Sequence, residues 1–158
     1  ALALRLGADV PMCLFGQPLL ARGIGQFLEP VELGFALDLV IANPRIAVST
    51  PEVFSALERR DNARLPAPGG LGDRRELMEW LGRTRNDLEP PARRMVGDIS
   101  RCLAALAEAG ADFVRMSGSG ASCYGLFADR QAARDAEVQL RLANPGWFVA
   151  ATRMKASD

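Results

Sequence analysis

The run of small residues from 115 to 122, Arg-Met-Ser-Gly-Ser-Gly-Ala-Ser, is the part of this chain best suited to binding an anion. It lies between two short apolar segments, Phe113 to Met116 and Cys123 to Phe127, and apolar segments bounded by glycine predict two strands joined by a tight loop. Glycine tolerates positive φ angles, so successive loop amides could converge on a phosphate. The alternative is a turn of small residues that only lets two strands meet, because isolated glycine motifs often have no ligand.

This loop does not match the common glycine motifs of enzymes. It lacks the Gly-Lys-Ser/Thr of a P-loop, and it does not lead from a strand into a helix as a dinucleotide-binding fingerprint does. Its serines also miss the Gly-x-Ser-x-Gly spacing of a hydrolase nucleophile. Nucleophilic serine chemistry is therefore not expected here.

Any proton transfer would fall to a carboxylate, because the chain contains no histidine. The absence of histidine also excludes a Ser-His-Asp site and most zinc sites, and no CxxC pair is present, so we predict no metal site. Asp9 is the candidate base. Pro11 restricts Val10 and fixes its own φ, which predicts that Asp9 lies on a stiff, extended junction between a helix and an apolar strand at 12–15. Taken alone, however, Asp9 could equally be a helix-terminal aspartate with a structural role.

The composition indicates one globular unit. The 158 residues include 19 basic and 19 acidic side chains and are 49% hydrophobic, a balance that argues against a nucleic-acid partner. No apolar run approaches the roughly 18 residues of a membrane span, and no signal peptide is recognisable. We expect a cytoplasmic protein without a membrane partner, in which Cys13, Cys102 and Cys123 are buried free thiols.

The predicted elements favour an α+β fold. A mainly antiparallel sheet with helices on one face is expected, and a split βαβ arrangement is plausible. Ser49 or Thr50 followed by Pro51 and Glu52 predicts a helix start. The predicted strands are 19–21, 38–42, 113–116, 123–127 and 147–152; the predicted helices are 51–59, 74–81, 91–109 and 129–142, with an exposed loop at 61–72.

The first seven residues, Ala-Leu-Ala-Leu-Arg-Leu-Gly, have the composition of the last turns of a helix. Two turns of helix are not stable alone in water. We therefore expect the chain to be the C-terminal part of a longer protein.

Five motifs in order resemble the C-terminal part of the GHMP superfamily of small-molecule kinases. They are Leu-Gly-Ala-Asp-Val-Pro at 6–11, Gly16 with Gly-Ile-Gly at 23–25, Ser-Thr-Pro-Glu-Val-Phe at 49–54, Asn-Asp-Leu-Glu at 86–89 and Met-Ser-Gly-Ser-Gly-Ala-Ser at 116–122. Within the superfamily, the chain is most similar to the branch that phosphorylates the 2-hydroxyl of a cytidine diphosphate-linked methylerythritol in non-mevalonate isoprenoid synthesis.

This resemblance implies a GHMP kinase C-terminal domain, ferredoxin-like, at 31–158, preceded at 1–30 by a remnant of the N-terminal kinase domain. It also implies ATP and Mg²⁺ as cofactors and a cytidine diphosphate-linked small molecule as substrate. Asp9 matches the catalytic aspartate that accepts the hydroxyl proton, and Thr50 and Phe54 match positions lining the substrate site, where Phe54 would stack on cytosine. The remaining implied site residues form the nucleotide-proximal segment, here called the glycine loop: Ser117, Gly118, Ser119, Gly120 and Ala121.

The chain departs from the family pattern by an absence. It contains neither the Pro-x-x-x-Gly-Leu-Gly-x-x-Ser-Ser phosphate loop nor a lysine partner for the aspartate, and Lys155 does not match that lysine. We therefore expect the missing N-terminal portion to be a partner, and the 158 residues to be inactive alone. Two alternatives stay open at this point: another GHMP kinase, acting on mevalonate or homoserine, and a non-catalytic ligand-binding α+β module.

Overall fold

The structure, a computed structural model, describes residues 10–23 and 25–157. The predicted helix end at 1–7 and the candidate base Asp9 lie outside the described residues. The elements in chain order are α1 (Val10–Phe15), β1 (Leu19–Arg22), β2 (Phe27–Pro30), β3 (Leu37–Asn43), α2 (Thr50–Ser55), α3 (Arg74–Gly82), α4 (Glu89–Met95), α5 (Gly97–Glu108), β4 (Phe113–Met116), β5 (Cys123–Phe127), α6 (Arg130–Ala143) and β6 (Phe148–Met154).

Four strands form an antiparallel sheet in the order β4-β5-β3-β6, and β1 and β2 form a separate antiparallel hairpin. Strand β3 pairs with both β5 and β6, so that Ala42 lies opposite Cys123 on one side and Val149 on the other. Because β3 lies between β5 and β6, the unit β5-α6-β6 is a split βαβ. The predicted α+β fold, with its ferredoxin-like sheet, is confirmed.

Alternation along β3 creates the main core. Residues two apart in a strand face the same side of a sheet, and Val40 and Ala42 are both fully buried on the side that α5 and α6 cover. Helix α6 begins as predicted at Asp129, whose side chain accepts a hydrogen bond from the Ala132 amide. The buried residues that fill this helix-facing core include Ile99, Cys102, Leu103, Leu106, Met116, Phe127, Ala136 and Leu140.

A second, smaller cluster forms around Leu37, which alternation places on the opposite face of the sheet. Leu33, Leu71 and Leu77 pack with it, so α3 lies outside the main helical layer. The predicted exposed loop at 61–72 contains no helix, but Leu71 is buried in this cluster. An apolar side chain within a proline-rich loop can thus anchor the loop to the domain.

The predicted single helix at 91–109 is wrong, because two helices occupy this range. Val96 has an extended backbone (φ −133°, ψ 96°) and separates α4 from α5. Its amide still donates to Ala92 O, and its carbonyl accepts from the Ile99 amide, so it closes one helix and begins the next. β-branched valine followed by Gly97 is a weak point for helix continuation.

The predicted strand at 12–15 is also wrong, since these residues belong to α1. Pro11 is the second residue of that helix. Proline is tolerated in the first turn because an amide there would have no partner within the helix. Met12 and Leu14, which are not branched at Cβ, favour helix as well. Helix α2 ends at Ser55 rather than near residue 59, because the charged run at 58–61 offers no apolar face to bury.

The cysteines correct one expectation. Cys102 and Cys123 are buried free thiols as predicted, but Cys13 is exposed. A hydrogen bond with Cys102, and then burial, raise the pKa of the Cys123 thiol far above its ordinary value. Cys123 is therefore not a nucleophile at neutral pH.

None of the described helices is long and apolar enough to cross a membrane.

Candidate functional site

The glycine loop joins β4 to β5, as predicted. The Ser117 amide donates to Ser122 O at 2.8 Å, and the Gly120 amide donates to Ser117 O at 3.1 Å, so the loop is a closed turn. Gly118 and Gly120 have φ angles of +56° and +96°. The amides of Gly118 and Ser119 have no hydrogen-bond acceptor among the described residues, which leaves them available to an anionic ligand.

Gly120 is the loop position that tolerates a side chain least. A Cβ atom there would lie 3.0 Å from Met116 Sδ and 3.2 Å from Ile99 Cδ1, whereas a Cβ at Gly118 would meet open space. We expect Gly118→Ala to lower the free energy of unfolding by about 1 kcal/mol through backbone strain, and Gly120→Ala by about 2 to 4 kcal/mol, because overpacking adds to the same strain. Urea unfolding measures both, and an equal loss in the two variants would contradict the packing argument at Gly120.

Thr50 and the glycine loop meet, although 69 positions separate Thr50 from Ser119 in the sequence. The Thr50 Oγ1 atom lies 2.7 Å from Ser119 Oγ, and either hydroxyl can donate. Thr50 is the first residue of α2, with Pro51 in the first turn. From the end of β3, Asn43 Nδ2 donates to Ser122 Oγ at 2.9 Å. The start of α2 therefore contacts the glycine loop, and the end of β3 contacts Ser122, the residue that follows the loop.

Phe54 lies on the same helix, one turn after Thr50. Its side chain is 49% exposed, while the neighbouring Val53 is fully buried in the core. Phe54, Ser117 and Gly118 line a cavity of about 900 Å³, a volume within the usual range for small-molecule sites. An exposed ring beside several cations suits a ligand that combines a flat base with an anionic group. The charged residues lining this cavity are Arg59, Arg60, Arg85 and Asp87.

Sequence reasoning assigned no role to the three arginines of this cavity, and it singled out residues 86–89 as a family motif without assigning a function to Asn86, Asp87 or Glu89. In the structure, Asn86 Nδ2 donates to Met116 O at 2.9 Å and to Gly118 O at 2.8 Å. Glu89 Oε2 accepts from the Met116 amide at 3.0 Å. The Asn-Asp-Leu-Glu motif was a visible signal, but nothing in it indicated a partner about 30 residues further along the chain.

Tyr124, an ionisable group near the loop, does not act as a base at neutral pH. Burial raises the pKa of Tyr124, which lines the cavity, although the Arg115 guanidinium acts in the opposite direction. Its phenol is thus neutral at physiological pH. Asp9 lies outside the described residues, so its position relative to Thr50 and Phe54 stays a prediction.

The described residues offer no cluster of metal-ligating side chains. Within 10–23 and 25–157, no group of three or more His, Cys, Asp or Glu side chains could hold a metal ion. The expected Mg²⁺ therefore has no such ligand set in this part of the chain.

Residues 53–145 match the model of the family described as GHMP kinases C terminal. The match covers more than half of the chain, and the chain belongs to this family. It has the fold and the glycine loop expected of a GHMP kinase C-terminal domain.

Curated relatives in the family are named 4-diphosphocytidyl-2-C-methyl-D-erythritol kinase. One from Agrobacterium fabrum (strain C58) is 49% identical over 154 residues, which are 97% of this chain and 52% of the relative. One from Mesorhizobium japonicum is 51% identical over 157 residues, 99% of this chain and 53% of the relative. The chain thus spans about half the length of the curated relatives it matches.

Solved structures agree with this assignment. A crystal structure of 4-(cytidine 5'-diphospho)-2C-methyl-D-erythritol kinase has a TM-score of 0.77 and 30% identity, and the match covers 98% of this chain and 56% of that one. Homoserine kinase from Cytophaga hutchinsonii has a TM-score of 0.63 at 17% identity, covering 93% of this chain and 50% of its own. At that identity the second likeness concerns the fold alone.

Proposed function

We propose that this chain is part of a kinase that uses ATP to phosphorylate the 2-hydroxyl of 4-diphosphocytidyl-2-C-methyl-D-erythritol in non-mevalonate isoprenoid biosynthesis. The names of relatives about 50% identical over nearly the whole chain support this reaction. The structural observation that carries the proposal is the Thr50 to Ser119 hydroxyl contact. It joins the helix bearing Phe54 to the glycine loop, so a base-binding ring and a phosphate-binding turn lie beside one cavity.

The proposed roles follow from what phosphoryl transfer requires of a protein. Bound ATP supplies the phosphoryl group, and the protein mainly positions the reactants and stabilises the developing charge. Asp9 orients the substrate hydroxyl and accepts its proton, which requires no histidine. Phe54 stacks on the cytosine and Thr50 contacts the substrate, while the unpaired amides of Gly118 and Ser119 face phosphate oxygens of the nucleotide.

The proposal includes a division of the chain. Residues 1–30 belong with an N-terminal kinase domain, and 31–158 form the C-terminal domain, which needs that N-terminal portion as its partner for turnover. The separation of the β1–β2 hairpin from the four-stranded sheet supports a boundary near residue 30. The free thiols of Cys102 and Cys123 fit the reducing conditions of the cytoplasm, where we place the reaction.

The test is a hybrid protein, in which the half of the Agrobacterium relative that this chain does not match is joined to this chain. We expect ATP-dependent phosphorylation of 4-diphosphocytidyl-2-C-methyl-D-erythritol, measured as ADP release, at a rate similar to that of the intact relative. Mevalonate and homoserine serve as competing substrates. Faster turnover of either one, or a folded hybrid without turnover of any of the three, would refute the proposal.

A further inference from the structure

Strand β4 is an edge strand of the sheet, and side chains rather than another strand cover its exposed end. The sheet order places β4 beside β5 only. At Met116, the last residue of β4, the carbonyl accepts from Asn86 Nδ2 at 2.9 Å and the amide donates to Glu89 Oε2 at 3.0 Å. Both backbone groups of Met116 are thus satisfied immediately before the chain enters the glycine loop.

Asn86 contacts the glycine loop as well as Met116. Its second amide proton goes to Gly118 O at 2.8 Å, and its Oδ1 accepts from the Leu88 amide at 3.0 Å. Both protons and the oxygen of the side-chain amide are therefore engaged. Asn86 is held by its own turn at one end, and at the other it holds the Met116 carbonyl of β4 and the Gly118 carbonyl of the glycine loop.

The turn that carries Asn86 is itself anchored to the sheet. Arg115, also on β4, donates to Thr84 Oγ1 at 2.6 Å, Thr84 O at 2.9 Å and Leu81 O at 3.0 Å. The guanidinium lies 4.6 Å from the Phe113 ring centroid, which fixes it further. Arg115 thus holds the end of α3 and the following turn against β4, and Asn86 in that turn contacts the loop.

We infer that Asn86 and Glu89 are positioning residues that set the orientation of the glycine loop toward the nucleotide. This inference rests on the proposed function, since it assigns to the loop the nucleotide side of the reaction. In a trans peptide the carbonyl and the amide that follows it point in opposite directions, so fixing the Gly118 carbonyl toward Asn86 directs the Ser119 amide away from Asn86. Without the hydrogen bonds of Asn86 and Glu89, the loop would present its amides in many orientations, and binding of ATP would have to select one of them.

Asn86→Asp removes both donated hydrogen bonds with little change of shape, and it also adds a negative charge. The carboxylate can still accept from the Leu88 amide, but it cannot donate to the Met116 or the Gly118 carbonyl. In the hybrid protein, we expect the KM for ATP to rise about tenfold from the loss of the two bonds, with the KM for the cytidine-linked substrate changed less than twofold. Asn144→Asp is the matched control, because Asn144 donates to Leu140 O at the far end of α6 and should leave both constants unchanged.

A second measurement does not depend on kinase activity. In the 158-residue chain, Asn86→Asp should shift the amide NMR signals of Gly118 and Gly120 and speed hydrogen exchange at Gly120, whose amide is bonded to Ser117 O, whereas Asn144→Asp should do neither. Unchanged loop signals, or equal rises in both KM values, would overturn the inference. An inactive hybrid together with altered loop signals would instead refute the proposed function and leave the loop contact standing.

Glu89 supplies the variant pair to use if Asn86→Asp does not fold. Glu89→Gln retains an oxygen that can accept from the Met116 amide, and Glu89→Ala does not. We expect Glu89→Gln to behave like the unsubstituted protein and Glu89→Ala to raise the KM for ATP and shift the loop signals. Indistinguishable behaviour of these two variants would count against a positioning role.

Discussion

Replacing Asp9 by asparagine in the hybrid protein is expected to lower kcat for phosphorylation of the cytidine-linked substrate by about 100- to 10,000-fold, the usual contribution of a general base. Asparagine has the shape of aspartate but cannot accept the hydroxyl proton. The chain has no histidine to take over this task. The Cys123 thiol, with its raised pKa, cannot replace the carboxylate either. Initial rates of ADP release at saturating substrate measure the effect.

The control for this experiment is Asp61→Asn, the same chemical change at an exposed carboxylate that pairs with Arg59. It should leave kcat unchanged. Asp9→Asn should also retain the urea midpoint of the unsubstituted protein and its KM values within a few fold, because it removes a proton acceptor rather than packing. A rate within threefold of the unsubstituted hybrid would exclude Asp9 as the base and favour a structural role at a helix end.

The sequence was most informative where the pattern of apolar residues is local. Strands β4 and β5 and the loop between them were predicted to the residue, because short apolar runs bounded by small residues leave few alternatives. The helix start at Thr50 and the helix cap at Asp129 were also predictable from the sequence, since each depends on neighbours within three residues. These elements are enough to place the glycine loop at one end of the sheet.

The sequence was least informative where tertiary contacts decide between local alternatives. The break at Val96 and the helix at Val10–Phe15 depend on marginal differences in propensity, which packing readily overrides. The bracing of the loop by Asn86 is a long-range contact. No periodicity encodes such a pair, and a motif alone cannot identify its partner. The Thr50 to Ser119 contact was inaccessible for the same reason.

Removing the Phe54 ring is expected to weaken binding of the cytidine-linked substrate by about 5- to 150-fold. Stacking of a base on an aromatic side chain contributes about 1 to 3 kcal/mol, and 1.4 kcal/mol corresponds to tenfold in affinity. The ring is 49% exposed and lines the cavity, so it is accessible to a ligand. Calorimetric titration of the hybrid protein with cytidine diphosphate measures the loss in Phe54→Ala. Phe54→Trp should retain most of the affinity.

Val53 provides a matched control because it adjoins Phe54 but faces the core. Val53→Ala should lower the free energy of unfolding by about 1 to 3 kcal/mol through lost burial and the cavity left behind, with little effect on ligand affinity. Phe54→Ala should give the opposite pattern, a large change in affinity and a small change in stability. These results would show that one face of this short helix contributes to stability and the other face to ligand binding. Equal affinity of Phe54→Ala and Val53→Ala for cytidine diphosphate would mean that the base binds elsewhere.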